Sequence, residues 1–241
     1  MNLKEFVKDK KLEVITASGG LGEGKYGYAL FCTGFTGRKP TNTCLIFDKN
    51  LNITYMDNNI SWINDDWYTD IFSIRRNDKY GVIDPFGNEI VPCIYDNVNL
   101  SRGYCDSNEN TPIWVEKDNK EMFFDRKGNQ LTEFYDKIFF WDETSEYFVF
   151  NNKEYSGVLD SSGKELFRID LYHLQFLTNN ILIYRDNFQY GLIDITGKIL
   201  TDAKYTSIQK ITDNQFLGIE DGFKVEVIDH LKPLYNFKAE E

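Results

Sequence analysis

The stretch Tyr80-Gly81-Val82-Ile83-Asp84-Pro85-Phe86-Gly87-Asn88-Glu89-Ile90-Val91-Pro92 decides the fold, because versions of it return along most of the chain. It reads as two short apolar strands joined by the turn Asp84-Pro85-Phe86-Gly87. Asp at the first turn position can accept hydrogen bonds from the turn amides. Pro at the second presets φ, and Gly at the fourth takes the positive φ that closes a hairpin. This stretch therefore predicts a β-hairpin with a capped type I turn.

Working outward, an apolar-apolar-Asp step recurs at Ile46-Phe47-Asp48, Val82-Ile83-Asp84, Phe123-Phe124-Asp125, Val158-Leu159-Asp160, Leu192-Ile193-Asp194 and Val227-Ile228-Asp229. Successive Asp residues are 36, 41, 35, 34 and 35 positions apart. Gly87, Gly128, Gly163 and Gly197 follow three residues after four of them, whereas Leu51 and Lys232 stand there in the first and last copies. Degenerate end copies are usual in repeat proteins. Upstream of each step lies another apolar segment and a polar turn, as in Phe72-Ser73-Ile74 with Asn77-Asp78, or Ile181-Leu182-Ile183-Tyr184 with Asp186-Asn187. Downstream lies a Tyr-anchored segment such as Tyr95-Asp96-Asn97-Val98 or Tyr205-Thr206-Ser207-Ile208. The long interval is explained by extra polar residues over 101–110, read as a surface loop. The pattern predicts an all-β chain of about six tandem antiparallel β-meander repeats of roughly 35 residues. A propeller-like closed array is expected, since closure covers sheet edges; an open twisted array is the alternative. Residues 1–24 stand apart as an N-terminal segment with a Gly-rich connection, and 25–241 read as one β-repeat domain.

The composition agrees with β structure: aromatics reach 16% and long runs of helix formers are absent. A formal net charge of −11 opposes nucleic-acid phosphates and anionic membranes, and suits a basic partner. Cys32, Cys44, Cys93 and Cys105 lack C-x-x-C spacing and are too sparse for a disulfide scaffold. No stretch approaches the roughly 20 apolar residues of a membrane-spanning helix. A cytoplasmic protein with free thiols is the expectation.

Tyr80-Gly81-Val82-Ile83-Asp84…Gly87…Pro92…Tyr95 and Tyr190-Gly191-Leu192-Ile193-Asp194…Gly197…Tyr205 resemble the bacterial WG-type repeat. That pattern runs aromatic-Gly, two apolar residues, Asp, two variable residues, Gly, then apolar residues and often Pro-x-x-Tyr. The likeness is partial at Asp160, where Ser156-Gly157 replaces aromatic-Gly. It is weak at Asp125, Asp48 and Asp229, where Met122, Leu45 and Glu226 take the Gly position. No copy carries Trp-Gly, so the chain resembles a divergent member. The resemblance implies a bacterial β-repeat interaction scaffold and supplies no catalytic residues.

Gly19-Gly20-Leu21-Gly22-Glu23-Gly24-Lys25 fits G-x-x-x-x-G-K, yet Tyr26 stands where a phosphate-binding loop needs Ser or Thr, and a strand pattern follows instead of a helix. It reads as a connection. The repeated Asp residues read as turn caps rather than a carboxylate ring. His173 and His230 have no ligand spacing, so neither metal nor cofactor is expected. Two aromatic-acidic clusters remain: Trp62, Asp65, Asp66, Trp67 and Asp70, and Trp141, Asp142, Glu143 and Glu146. Aromatic anchors among carboxylates suit a protein partner with a basic surface. The expected function is a non-enzymatic protein-binding scaffold, in one form an immunity protein that neutralises a bacterial toxin through its acidic surface. A glycan- or small-molecule-sensing module is the alternative, and an enzyme using paired carboxylates the third.

Overall fold

The computed structural model describes residues 1–8, 13–18, 25–36, 39–66, 69–100, 111–140, 147–171, 173–221 and 224–229. The described residues are all-β apart from one short helix, α1 (Leu3–Lys8). It divides into two compact units, residues 1–134 and 135–241.

The described residues of the first unit form three antiparallel sheets. One comprises β1 (Glu13–Ser18), β2 (Tyr26–Thr36), β3 (Lys39–Asp48) and β4 (Ile53–Asp57) in chain order. The next comprises β5 (Ile60–Asp66), β6 (Thr69–Arg76), β7 (Lys79–Ile83) and β8 (Glu89–Tyr95). The third comprises β9 (Asn97–Asn99), β10 (Ile113–Lys117) and β11 (Lys120–Phe124), with a bridge from Phe124 to Gln130. The second unit has a four-stranded sheet of β12 (Lys137–Phe140), β13 (Tyr147–Asn151), β14 (Ser156–Asp160) and β15 (Glu165–Ile169). Its other sheet has six strands: β16 (His173–Phe176), β17 (Ile181–Asp186), β18 (Gln189–Asp194), β19 (Ile199–Lys210), β20 (Gln215–Glu220) and β21 (Val225–Asp229). Each sheet is a plain meander of neighbouring strands. The sheet boundary falls inside the Tyr-anchored segment: Tyr95 closes β8, paired with Tyr80, and after Asp96 alone β9 opens the following sheet.

Both residues before Asp48, Asp84, Asp125, Asp160 and Asp194 are buried, whereas in the last copy Ile228 is buried and Val227 is 59% exposed. Successive side chains of a strand point to opposite faces, and in those five copies both faces are buried. Val82 joins one core with Val91, Tyr95, Val98, Ile113, Val115 and Met122, between the second and third sheets. Ile83 joins another with Leu30, Cys44, Ile46, Ile63 and Phe72, between the first and second. Leu192 and Ile193 divide in the same way in the second unit. The remaining face of the first sheet packs Phe31, Leu45 and Phe47 under Leu3, Phe6 and Val7 of α1, whose amphipathic spacing presents those residues together.

The Asp turns repeat with little variation. Gly87 N–H donates to Asp84 O at 3.1 Å, and the amides of Phe86 and Asn88 donate to Asp84 Oδ1 at 2.8 and 2.9 Å. Gly87 has φ +84, the left-handed position that follows a type I turn in a bulged hairpin. The same i to i+3 bond closes the turns at Asp48, Asp125, Asp160 and Asp194. At Asp48 the left-handed position belongs to Leu51, φ 65, so the degenerate first copy keeps the turn with a residue that is strained there. The expected turn role of these aspartates is what their hydrogen bonds show.

The turn glycines also set the spacing between sheets. A Cβ on Gly87 would lie 2.1 Å from the Tyr55 ring of the preceding sheet, and one on Gly128 would lie 2.2 Å from Ile90 O. In the second unit a Cβ on Gly197 would meet Phe167 at 2.9 Å. Thr54 Oγ1 donates to Pro85 O at 2.6 Å beside the first of these seats. Gly87→Ala therefore combines a left-handed alanine, about 1–2 kcal/mol, with overpacking of about 1–3 kcal/mol. Urea unfolding is expected to show a loss of about 2–5 kcal/mol for that variant. Ile94→Ala, at an exposed strand position of the same sheet, is expected to stay within about 0.5 kcal/mol of the parent.

Candidate interaction surface

The Asp side chains of the turns are fully engaged where they stand. Asp48, Asp84 and Asp125 each accept two backbone amides on Oδ1 and the side-chain amide of Asn52, Asn88 or Asn129 on Oδ2. Asp160 and Asp194 accept the hydroxyls of Ser162 and Thr196 instead, both at 2.6 Å. The side-chain amide of Asn52 is the main reason the Asp48 carboxyl sits below its ordinary value. Partial burial pushes Asp125, Asp160 and Asp194 upward, and their local hydrogen bonds outweigh it to leave all three lowered. Among the described residues no group of three His, Cys, Asp or Glu side chains could hold a metal ion. His173 lies on β16, His230 outside the described residues. Gly19–Gly24 and Cys105 also lie outside them.

Two polar clusters invite a catalytic reading, and in both the partners are spent on each other. In the first unit Arg76 donates to Asp57 Oδ2 at 2.8 Å, Tyr55 Oη at 3.1 Å and Glu89 Oε1 at 2.9 Å. The Tyr55 hydroxyl donates to Asp57 Oδ2 at 2.9 Å, and the Asn59 amide to Oδ1 at 2.7 Å. Burial would raise the Asp57 carboxyl, but the Asn59 amide, the Tyr55 hydroxyl and Arg76 together hold it below its ordinary value. Burial, reinforced by Asp57, pushes the Tyr55 phenol up to about 12. A phenol held that high is a poor proton donor near neutrality. The cluster is a clasp joining β4 of one sheet to β6 and β8 of the next. In the second unit Lys204 pairs with Glu226 at 2.7 Å and Glu220 at 2.9 Å, and Tyr205 donates to Glu226 at 2.9 Å. Burial and the Glu226 hydrogen bond push the Tyr205 phenol up to about 12. This cluster ties β19 to β20 and β21.

The first aromatic-acidic cluster occupies the β5–β6 hairpin. Trp62 is 37% exposed; its indole meets the Tyr80 ring edge-on with centroids 5.6 Å apart. The Arg75 guanidinium lies 5.6 Å from the centroid of that same Tyr80 ring. Asp65 is half-buried and three residues along a regular stretch of the strand, so it projects from the opposite face to Trp62. Asp70 accepts the Lys25 amide at 2.7 Å, which fixes the start of β2. Asp66 ends β5, and Trp67 lies outside the described residues. Trp141, Asp142, Glu143 and Glu146 lie outside them as well; Phe139, at the edge of that segment on β12, is 47% exposed.

A third aromatic site was not anticipated from the sequence. Arg185 lies 5.1 Å from the Phe188 centroid and 5.7 Å from that of Tyr190, and Phe188 is 82% exposed with φ 68. The available signal was a Phe at a turn position where the sibling hairpins have Asp78 and Asn119.

Residues 80–120 and 190–219 match the family described as WG containing repeat. These are the segments that carry Tyr80-Gly81 and Tyr190-Gly191, and the likeness to that repeat is local to them. No curated protein matches the chain. Among solved structures it is similar to Kluyveromyces lactis Hsv2 with loop 6CD replaced by a Gly-Ser linker, at 10% identity. That likeness covers 91% of this chain and 78% of the other, with a TM-score of 0.35. A eukaryotic initiation factor is similar at 10% identity, over 83% of this chain and 57% of that one, with a TM-score of 0.40. The Neurospora crassa Pan2 WD40 domain is similar at 10% identity, over 92% and 77%, with a TM-score of 0.32.

The lowered carboxyls give the pH dependence its sign. A group whose pKa is depressed on folding contributes stability above its unfolded value, near pH 4, and loses it as pH falls through the folded value. Stability is therefore expected to decline below about pH 4. Asp57→Asn is expected to be less stable at neutral pH and to show a shallower acid decline, read as urea midpoints across that range.

Proposed function

We propose that this β-repeat protein is a non-enzymatic scaffold that binds a basic protein partner, with Trp62 as its aromatic anchor. The observation that carries the reading is exposed Trp62 packed edge-on against half-buried Tyr80 on the sheet of β5–β8, in a chain whose net charge is −11. Partly exposed Trp and Tyr at a surface are the residue types that supply most binding energy when a partner excludes water from them. The acidic field speeds encounter with a basic surface and disfavours acidic competitors. In its most specific form the scaffold is an immunity protein that covers the basic active site of a toxin; the charge supports that form. Asp65 projects from the other face of β5 and is not part of the Trp62 surface. The residues proposed for such a partner beside Trp62 are the sequence-derived ones, Asp66 with Trp67 and the second group, Trp141, Asp142, Glu143 and Glu146.

Affinity capture from native lysate, with the products of neighbouring genes included, tests this. One stoichiometric basic protein is expected. Its binding should weaken at least about tenfold between low salt and 0.5 M salt, and by at least about tenfold in Trp62→Ala. Binding that ignores salt, or survives Trp62→Ala together with Asp66→Ser, would defeat the assignment and favour the small-molecule alternative.

A further inference from the structure

The β17–β18 hairpin departs from its siblings at one position. The β6–β7 and β10–β11 hairpins turn through Asn77-Asp78 and Asp118-Asn119, all four at positive φ. Short polar side chains tolerate that left-handed region, and a mirror-image turn needs two such residues. In β17–β18 the pair is Asn187-Phe188, so a bulky aromatic holds a strained backbone position with most of its ring in water. Neither the core nor the turn geometry accounts for a Phe there.

The consequence falls on an arginine. Arg75 precedes Tyr80 by five residues and pairs with Asp78 of its own turn at 3.0 Å. Arg185 precedes Tyr190 by the same five residues and finds Phe188 where its sibling has the acid. Its guanidinium lies within cation–π reach of both the Phe188 and Tyr190 rings, and among the described residues no carboxylate comes within ion-pair distance of it. Asp186 is the next residue in the strand and so projects from the other face. Stacking engages the flat faces of a guanidinium and leaves its N–H edge free to grip a carboxylate with two hydrogen bonds. In a chain with 38 acidic and 27 basic residues, a positioned arginine without an acid is a vacancy in the charge pattern.

The geometry points to the tip of β17–β18 as a binding site for an acidic segment of a protein partner. Arg185 takes a Glu or Asp carboxylate of that segment, and Phe188 covers an apolar side chain beside it. This contact is distinct from the Trp62 surface, and its partner chemistry is opposite in charge.

The test is a titration of the full-length ¹⁵N-labelled protein with a capped hexapeptide alternating Glu and Leu, against the same peptide with Gln for Glu. Saturable shifts of the Arg185 Nε–H signal and of the Phe188 and Tyr190 amides are expected with the Glu peptide alone. Arg185→Gln should weaken binding at least tenfold. Phe188→Asn, which restores the sibling turn, should weaken it at least threefold while leaving thermal unfolding unchanged or higher. Equal binding of the Gln peptide, full competition by acetate or inorganic phosphate, or unchanged affinity in both variants with native spectra would overturn the proposal.

Discussion

The seats of the Asp84, Asp125 and Asp194 turns on the sheets before them are the contacts on which the repeats of this chain depend. A turn that carried any side chain at Gly87 or Gly128 would stand off from Tyr55 or Ile90. Asp, Pro and Asn residues shape the loop, but the missing Cβ sets how closely one meander approaches the last. Because interiors are packed at near-crystalline density, a gap of even one methyl group at that seat would propagate into the core beneath it. Val82 and Ile83 are both fully buried for this reason. Their two cores, one on each face, are closed by neighbouring sheets only if the turns are seated.

Much of this architecture was legible in the sequence. Turn chemistry is local, so Asp84 and Gly87 could be assigned their roles from spacing alone, and the structure bears them out in hydrogen bonds and backbone angles. The 34- to 41-residue period gave the repeat length and placed the meanders. What it did not convey was sheet membership. The Tyr-anchored segment follows its Asp in sequence, yet Val98 pairs with Val115 of the next sheet, and only long-range pairing decides that. The contribution of α1 was hidden for a similar reason. Three apolar residues in a short helix carry little signal until the exposed face of the first sheet gives them something to cover.

The surface was much less legible than the core. Trp62, Asp65 and Asp70 are close in sequence, and proximity suggested one patch. Strand alternation sends Trp62 and Asp65 to different faces, while Asp70 is occupied by a backbone amide. Carboxylates are ambiguous from sequence because capping a turn, clasping two sheets and meeting a partner all call for the same residue. Arg76 with Asp57 and Lys204 with Glu226 show how many charges of this acidic chain work internally. The exposed Phe188 is the reverse case: its turn position was readable, but only comparison with the sibling turns in three dimensions shows that it displaces an acid.

Strand β19 carries a further consequence. Between the second and third sheets the chain changes partners at Asp96, whose amide already donates to Glu116 O of β10 at 2.8 Å, so β8 and β9 are separate strands. In the second unit the corresponding path runs unbroken from Ile199 to Lys210, pairing with β18 through its first half and β20 through its second. Tyr205 takes part in both ladders. Two neighbouring copies that would otherwise open independently share one backbone, and neither can detach without fraying the other. The last repeats are therefore expected to exchange as one cooperative unit through a shared strand, whereas the second and third sheets are coupled at Asp96 through its side chain, which accepts hydrogen bonds from Lys79 Nζ of one and the Asp118 amide of the other.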